Sequence, residues 1–143
     1  MLYAYFTSKG RLFDAVFDAV VVRNVTDVPI DATDLPEYAA RLAEQYERYP
    51  EVARLATWDR LERDGAGVRS AAIVGASAHK IDEIGKAQDE GVIGTHLPAA
   101  MLLELVYAVA MARFDGVAPG GEEQSRELRR QLIKEAVARL VKP

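Results

Sequence analysis

Met1-Leu2-Tyr3-Ala4-Tyr5-Phe6-Thr7-Ser8-Lys9-Gly10-Arg11-Leu12-Phe13 opens the chain with two helix ends set back to back. Tyr3, Tyr5 and Phe6 form an aromatic cluster that runs into a polar pair, Thr7-Ser8. Lys9 follows at once. Apolar residues then recur at helical spacing: Leu12, Phe13, Val16, Phe17, Val20 and Val21. The segment reads as the end of one helix, a tight turn, and a second helix capped by Ser8. A positive helix N-terminus beside a lysine is a ready site for a phosphate. The helix dipole gives no reason for a cation at that end, so Lys9 asks for an anionic partner. A solvated lysine on a surface turn is the plainer alternative.

Beyond this opening, 143 residues suit one domain with a sizeable core. Half the residues are hydrophobic and 28% are charged, which fits a globular rather than a disordered chain. There is no cysteine, so disulfides, thiolate zinc sites and a thiol nucleophile are excluded. The net charge of −4 argues against a general nucleic-acid coat. The charge is uneven, because residues 1–13 carry Lys9 and Arg11 and no acid. The start lacks the basic and apolar regions of a secretory signal, and a cytoplasmic setting is expected.

The remainder reads as helices throughout, with no period-two alternation long enough for a strand. The first helix fades near Asp27, and residues 28–33 connect. Asp34 starts the next helix, with Pro36 in its first turn and Glu37 three residues on, as in a capping box. Leu35, Tyr38, Leu42, Tyr46 and Tyr49 make its stripe until Pro50 breaks it. A shorter helix carries Val52, Leu55, Trp58 and Leu61. A long helix over residues 68–90 is closed by Gly91. Another, with Pro98 in its first turn, runs to about Asp115. The last starts at Glu122 and Glu123 and ends near Arg139 and Lys142, matching the helix dipole at both ends.

Residues 97–112 contain one charge, Glu104, and are otherwise almost wholly apolar. A helix greasy all round must be covered all round. Sixteen residues fall short of the ~20 that span a bilayer, so no membrane role follows. Either this is a central core helix, or one face packs on its own subunit and the opposite face on a partner. Leu128, Leu132, Ile133, Ala136, Val137, Leu140 and Val141 give the last helix an apolar stripe of several turns. Two such helices from each of two chains would make a self-complementary four-helix interface.

The opening resembles the TetR family of bacterial transcriptional regulators. In that family a recognition helix ends in Leu-Tyr-x-x-Phe, followed by Ser-Lys, an acid and a leucine. The matching residues here are Leu2, Tyr3, Phe6, Ser8, Lys9, Gly10 and Leu12, with Gly10 in place of the acid. Gln88-Asp89-Glu90-Gly91-Val92-Ile93, leading to the apolar helix, is also similar to many members. The resemblance implies an all-α bundle of about six helices that dimerises through its last two long helices. Residues 1–13 would be the remnant of a helix-turn-helix head and the start of the connecting helix. Residues 14–143 would be the ligand-binding and dimerisation body. Tyr5 and Lys9 match positions that touch the DNA backbone, Tyr3 one that packs in the head or reaches DNA, and Phe6 a core anchor. Most of the head would precede Leu2, so weak or unspecific DNA binding is expected of these 143 residues alone. Leu105, Val109, Leu128, Leu132, Val137 and Leu140 would form the homodimer interface.

The body would hold a small apolar or aromatic effector. The candidates are Phe17, Tyr46, Trp58, His79, Met101 and Tyr107, with Met111 beside them, and each could equally be plain core. Trp58 stands first, as the only tryptophan on a short interrupted helix. Ala72, Gly75, Ala76 and His79 share a face that suits either a tight helix crossing or room for a ligand. Effector binding would change the spacing of two DNA heads through Phe13, Val16 and Phe17. His79 and Glu83 stand at i, i+4, a spacing that can hold a metal, but a plain His–Glu hydrogen bond is the simpler reading. Without further ligands or a nucleophile motif, no enzyme, cofactor or metal is expected. The function that the resemblance implies is a transcriptional regulator of the repressing kind; the alternative is a helical dimer that binds a small molecule or protein without touching DNA.

Overall fold

A computed structural model of the chain describes residues 9–63, 71–113 and 122–143, the side chains of residues 60, 62 and 63 excepted. Six helices make up the described residues: α1 (Lys9–Asp27), α2 (Leu35–Arg48), α3 (Pro50–Arg63), α4 (Ala71–Asp89), α5 (Ala99–Ala110) and α6 (Glu122–Val141). No strand occurs among them, as the sequence pattern implied. The opening motif up to Ser8, with Tyr3, Tyr5 and Phe6, lies outside the described residues. So do the glycine-containing turns that the sequence places after the third and fifth helices, Asp64-Gly65 with Gly67 and Gly116 to Gly121. The division expected between residues 13 and 14 falls inside α1.

Local rules explain the helix ends. Asp34 caps α2, its Oδ1 accepting from the Glu37 backbone N–H at 3.1 Å. Glu37 does not complete a capping box, because its carboxylate reaches across to Arg130 and Lys134 of α6. Pro50 ends α2 and also opens α3, where its fixed φ and missing N–H cost nothing. Gly91 follows α4 at φ 74°, the left-handed position glycine fills most easily. The apolar helix is shorter than its composition suggested, stopping at Ala110 rather than near Asp115. There Arg129 of α6 donates to the carbonyls of Ala112 at 3.0 Å and Ala110 at 3.3 Å.

α2 lies at the centre and packs on α3, α5 and α6, while α4 packs on α1 and α5. Leu35, Tyr38 and Leu42 meet Ile84, Leu102, Leu103, Val106, Ile133 and Val137, each at most 2% exposed. Each such side chain contributes roughly 1.5–3 kcal/mol, most of it offset by lost chain entropy. The α4–α5 connection is tied down by Gln88, whose amide donates to the carbonyls of Gly94 at 3.0 Å and Leu97 at 2.8 Å. The Gly94 N–H in turn bonds the Val141 carbonyl at 2.9 Å, anchoring the end of α6.

α5 is not buried all round. Leu102, Leu103, Val106 and Ala110 face the core, whereas Met101 is 54% exposed and Ala108 is exposed. Its reading as a central helix covered by its own subunit is thereby overturned. The α6 stripe divides in the same way. Ile133 and Val137 point inward, and Leu128 and Leu132 remain 41% and 44% exposed.

Candidate functional site

The C-terminal ends of α2 and α5, one face of α3 and the first turns of α6 border a half-open cleft of about 840 Å³. Tyr46, Trp58, Leu61, Met111, Leu128 and Leu132 supply its apolar lining. The volume lies within the range of small-molecule sites, roughly 300–1,000 Å³. Among the described lining residues, Arg54, Arg113, Arg126 and Arg129 stand against a single acid, Glu47. Basic groups thus outnumber acidic ones in the described lining of an otherwise acidic chain. Arg129 is already engaged, pairing with Glu47 and capping α5. Trp58 connects this wall to α1. Its ring centroid lies 4.1 Å from that of Phe13, which stacks on Phe17 at 5.8 Å.

Behind the cleft floor lies a buried polar cluster. Lys80 of α4 is 4% exposed, and its Nζ donates to the Tyr107 hydroxyl at 2.9 Å. The same ammonium lies 5.2 Å from the Tyr107 ring centroid and 5.8 Å from that of Tyr38. Burial pulls the Lys80 ammonium down to about 8. Burial also pushes Tyr46 up to about 12 and holds Tyr38 and Tyr107 well above the usual phenol range. The Tyr38 and Tyr107 hydroxyls are close enough to perturb each other, yet the Tyr38 hydroxyl makes no formed hydrogen bond.

The residues named from sequence part company here. Tyr46 and Trp58 share the cleft with Met111, and Tyr107 belongs to the cluster behind it. Phe17 stands behind Trp58 in the aromatic stack rather than in the cleft lining. Met101 and His79 are exposed and far from being lining residues. The reason is helical register: Ile73, Lys80, Ile84 and Ala87 form the inward stripe of α4, so His79 projects away. Ala72 and Gly75 are exposed too, and a Cβ on Gly75 would meet nothing within 4 Å. That face is neither a tight crossing nor a ligand wall within this subunit. Glu83 and Asp82 both pair with Lys86 at 2.8 Å, and Glu83 makes no bond to His79. Val16 is 44% exposed and stands outside the Phe13–Phe17–Trp58 stack. Lys9 is exposed at the first position of α1. Leu105, Val109 and Leu140 are half-buried and Leu128 and Leu132 exposed, but Val137 is wholly inside its own core and offers a partner no surface.

Sequence reasoning missed Lys80. The signal was its place on the Ile73–Ile84 stripe, seven residues after one and four before the other. Arg54 and Arg126, exposed residues on facing helices, gave no such signal.

An all-α bundle of this order, with its apolar α5 and long final helix, is the fold of a regulatory domain. Residues 34–139 match the family described as tetracyclin repressor-like, C-terminal domain. The chain is 32% identical over 149 aligned positions to the HTH-type transcriptional repressor SCO4008 of Streptomyces coelicolor, covering 99% of this chain and 77% of that protein. It also superposes on a crystal structure from Streptomyces coelicolor, described as that of the transcriptional regulator SCO4942, with a TM-score of 0.75 and 26% identity. That match covers 99% of this chain and 78% of the other. The chain belongs to the TetR family of transcriptional regulators. Regulators of this family are in general not enzymes. No described helix is long and apolar enough to cross a membrane.

Proposed function

We propose that the chain is the ligand-responsive body of a cytoplasmic repressor, which binds its effector in the cleft at Trp58 and acts as a homodimer on operator DNA. The effector has an apolar or aromatic part, and the chain itself catalyses no reaction. Tyr3, Tyr5 and Lys9 contact DNA, with Lys9 serving a phosphate. α5 and α6 pair with a second copy. The observation that carries this reading is the contact of Trp58 with Phe13. A ligand beside the indole displaces a ring that rests on the helix leading to the DNA head. The populations of two head spacings then shift by the ligand's difference in affinity for them.

A thermal-shift screen of small aromatic and apolar compounds tests the site. Leu61 is 75% exposed and lines the cleft, so Leu61→Glu alters the wall without disturbing the core. Compounds that stabilise the wild-type chain are expected to lose that effect in Leu61→Glu. In a reporter assay the same compounds should relieve repression, and Phe13→Ala should weaken that response while leaving binding in place. Stabilisation that is equal in both proteins would move the effector elsewhere.

A further inference from the structure

Lys80 is the only charged residue classed as buried among the described residues. An ammonium has three N–H bonds to satisfy. Among the described residues this one has a single neutral hydroxyl at 2.9 Å and two ring faces, and no carboxylate pairs with it. Beside it the Tyr38 hydroxyl, on a residue 1% exposed, has only the neighbouring Tyr107 hydroxyl within reach and no well-formed hydrogen bond. A cation and a phenol donor without a well-formed bond thus lie together where, among the described residues, no acceptor of opposite charge is supplied. A hydrocarbon would fill that position at less cost, since buried charges are expensive unless paired.

The tyrosines of the cluster stand on the same two helices, α2 and α5, that bring Tyr46 and Met111 to the cleft. Tyr107 precedes Met111 by four residues and Tyr38 precedes Tyr46 by eight, or about 6 and 12 Å along the two helices. The arginines at the mouth favour entry of an anion. The geometry points to an organic monocarboxylate as the effector, its headgroup accepting from Lys80 Nζ and the Tyr38 hydroxyl and its apolar body in the cleft beside Trp58. This rests on the cleft being the effector site. One ammonium matches one carboxylate, whereas a phosphate dianion would leave excess charge buried.

Trp58, the only tryptophan, reports binding by its fluorescence. The full chain is titrated with benzoate, 4-phenylbutyrate and decanoate, and with the matched uncharged amides. The best carboxylate is expected to bind about tenfold more tightly than its amide, as a charge-assisted hydrogen bond in a buried site would give. Lys80→Met should abolish that preference, so that acid and matched amide bind about equally. Tyr38→Phe, a near-isosteric change, should weaken the carboxylates more than the amides, by roughly threefold. Equal affinity for acids and amides overturns the inference and leaves the cleft as the effector site. A preference that survives Lys80→Met and disappears in Arg126→Gln also overturns it, placing the headgroup at the mouth. Binding of neither class removes the effector reading of the cleft, and this inference with it.

Discussion

A single methylene decides opposite outcomes at two glycines. A Cβ at Gly94 would lie 2.4 Å from the Lys142 backbone carbonyl, so Gly94→Ala must push α6 away from the α4–α5 connection. A loss of ~1–3 kcal/mol is expected from such overpacking. Gly75 is helical and exposed with open space where its Cβ would go, so Gly75→Ala should gain ~0.5–1 kcal/mol. Urea unfolding of the two variants checks both signs. Lys80 makes the stronger case, because its ammonium is held at about 8 by burial. Below that pH both native and unfolded chains carry the charge, and the native state bears the full penalty, roughly 3 kcal/mol. From about pH 8 towards pH 10 the unfolded chain holds a proton that the native chain has released, so stability should rise with pH. The groups facing Lys80 are Tyr38 from α2 and Tyr107 from α5, with Glu104 acting on Tyr107. Above pH 10 the trend should reverse, because the native chain keeps the protons of Tyr38, Tyr46 and Tyr107 that the unfolded chain loses. Lys80→Met should stabilise the protein at pH 7 by ~1–3 kcal/mol and flatten the rise between pH 8 and 10.

Helices were legible where one stripe had one job. The α2 stripe begins with Leu35, Tyr38 and Leu42, and all three are buried as their spacing implied. α6 was harder because three faces serve three neighbours. Ile133 and Val137 enter the core, Leu128 and Leu132 stay outside, and Arg130 and Lys134 face α2. The apolar residues of two faces merged into one stripe on paper. Lys80 escaped notice for the converse reason, since a charge on an apolar stripe is ordinarily read as a break in it. The α2–α6 seam also used residues whose partners lie more than eighty positions away, such as Arg130 with Glu37 and Glu44. Nothing local predicts such a pairing. Lys134 and Arg130 hold the Glu37 carboxyl below its ordinary value. A carboxylate depressed in the native state stabilises above its unfolded pKa, and that contribution is lost as pH falls through the native one. Glu37→Gln should therefore cost about 1 kcal/mol near neutrality, in line with partly exposed pairs. The difference from wild type should shrink on acidification, as read from urea midpoints at pH 7 and pH 3.

For the molecule as a whole, the informative surface is the one that α5 and α6 leave uncovered. Met101 and Ala108 on α5, and Leu128, Leu132 and Ala136 on α6, are exposed on two helices that pack on each other. Neighbouring apolar faces on one subunit are what a two-fold four-helix interface needs. Leu132 contributes twice in such a dimer, once from each copy, so a single substitution inserts two charges. It is 44% exposed, and the core contacts of its own subunit rest instead on Ile133 and Val137. Leu132→Arg is therefore expected to separate the dimer and leave the far-ultraviolet circular dichroism of each subunit intact. An interface of standard size buries about 800 Å² per partner and yields only the surplus left after the costs of association, which two guanidinium groups desolvated within it would consume. Analytical ultracentrifugation distinguishes the outcomes. The wild-type chain should sediment at twice the 15.7 kDa of one copy and Leu132→Arg at the monomer mass. Because Leu132 also lines the effector cleft, Leu105→Arg on α5 provides the control. It lies outside the cleft lining, so a monomer from both substitutions assigns the effect to the interface, and a monomer from Leu132→Arg alone assigns it to the cleft.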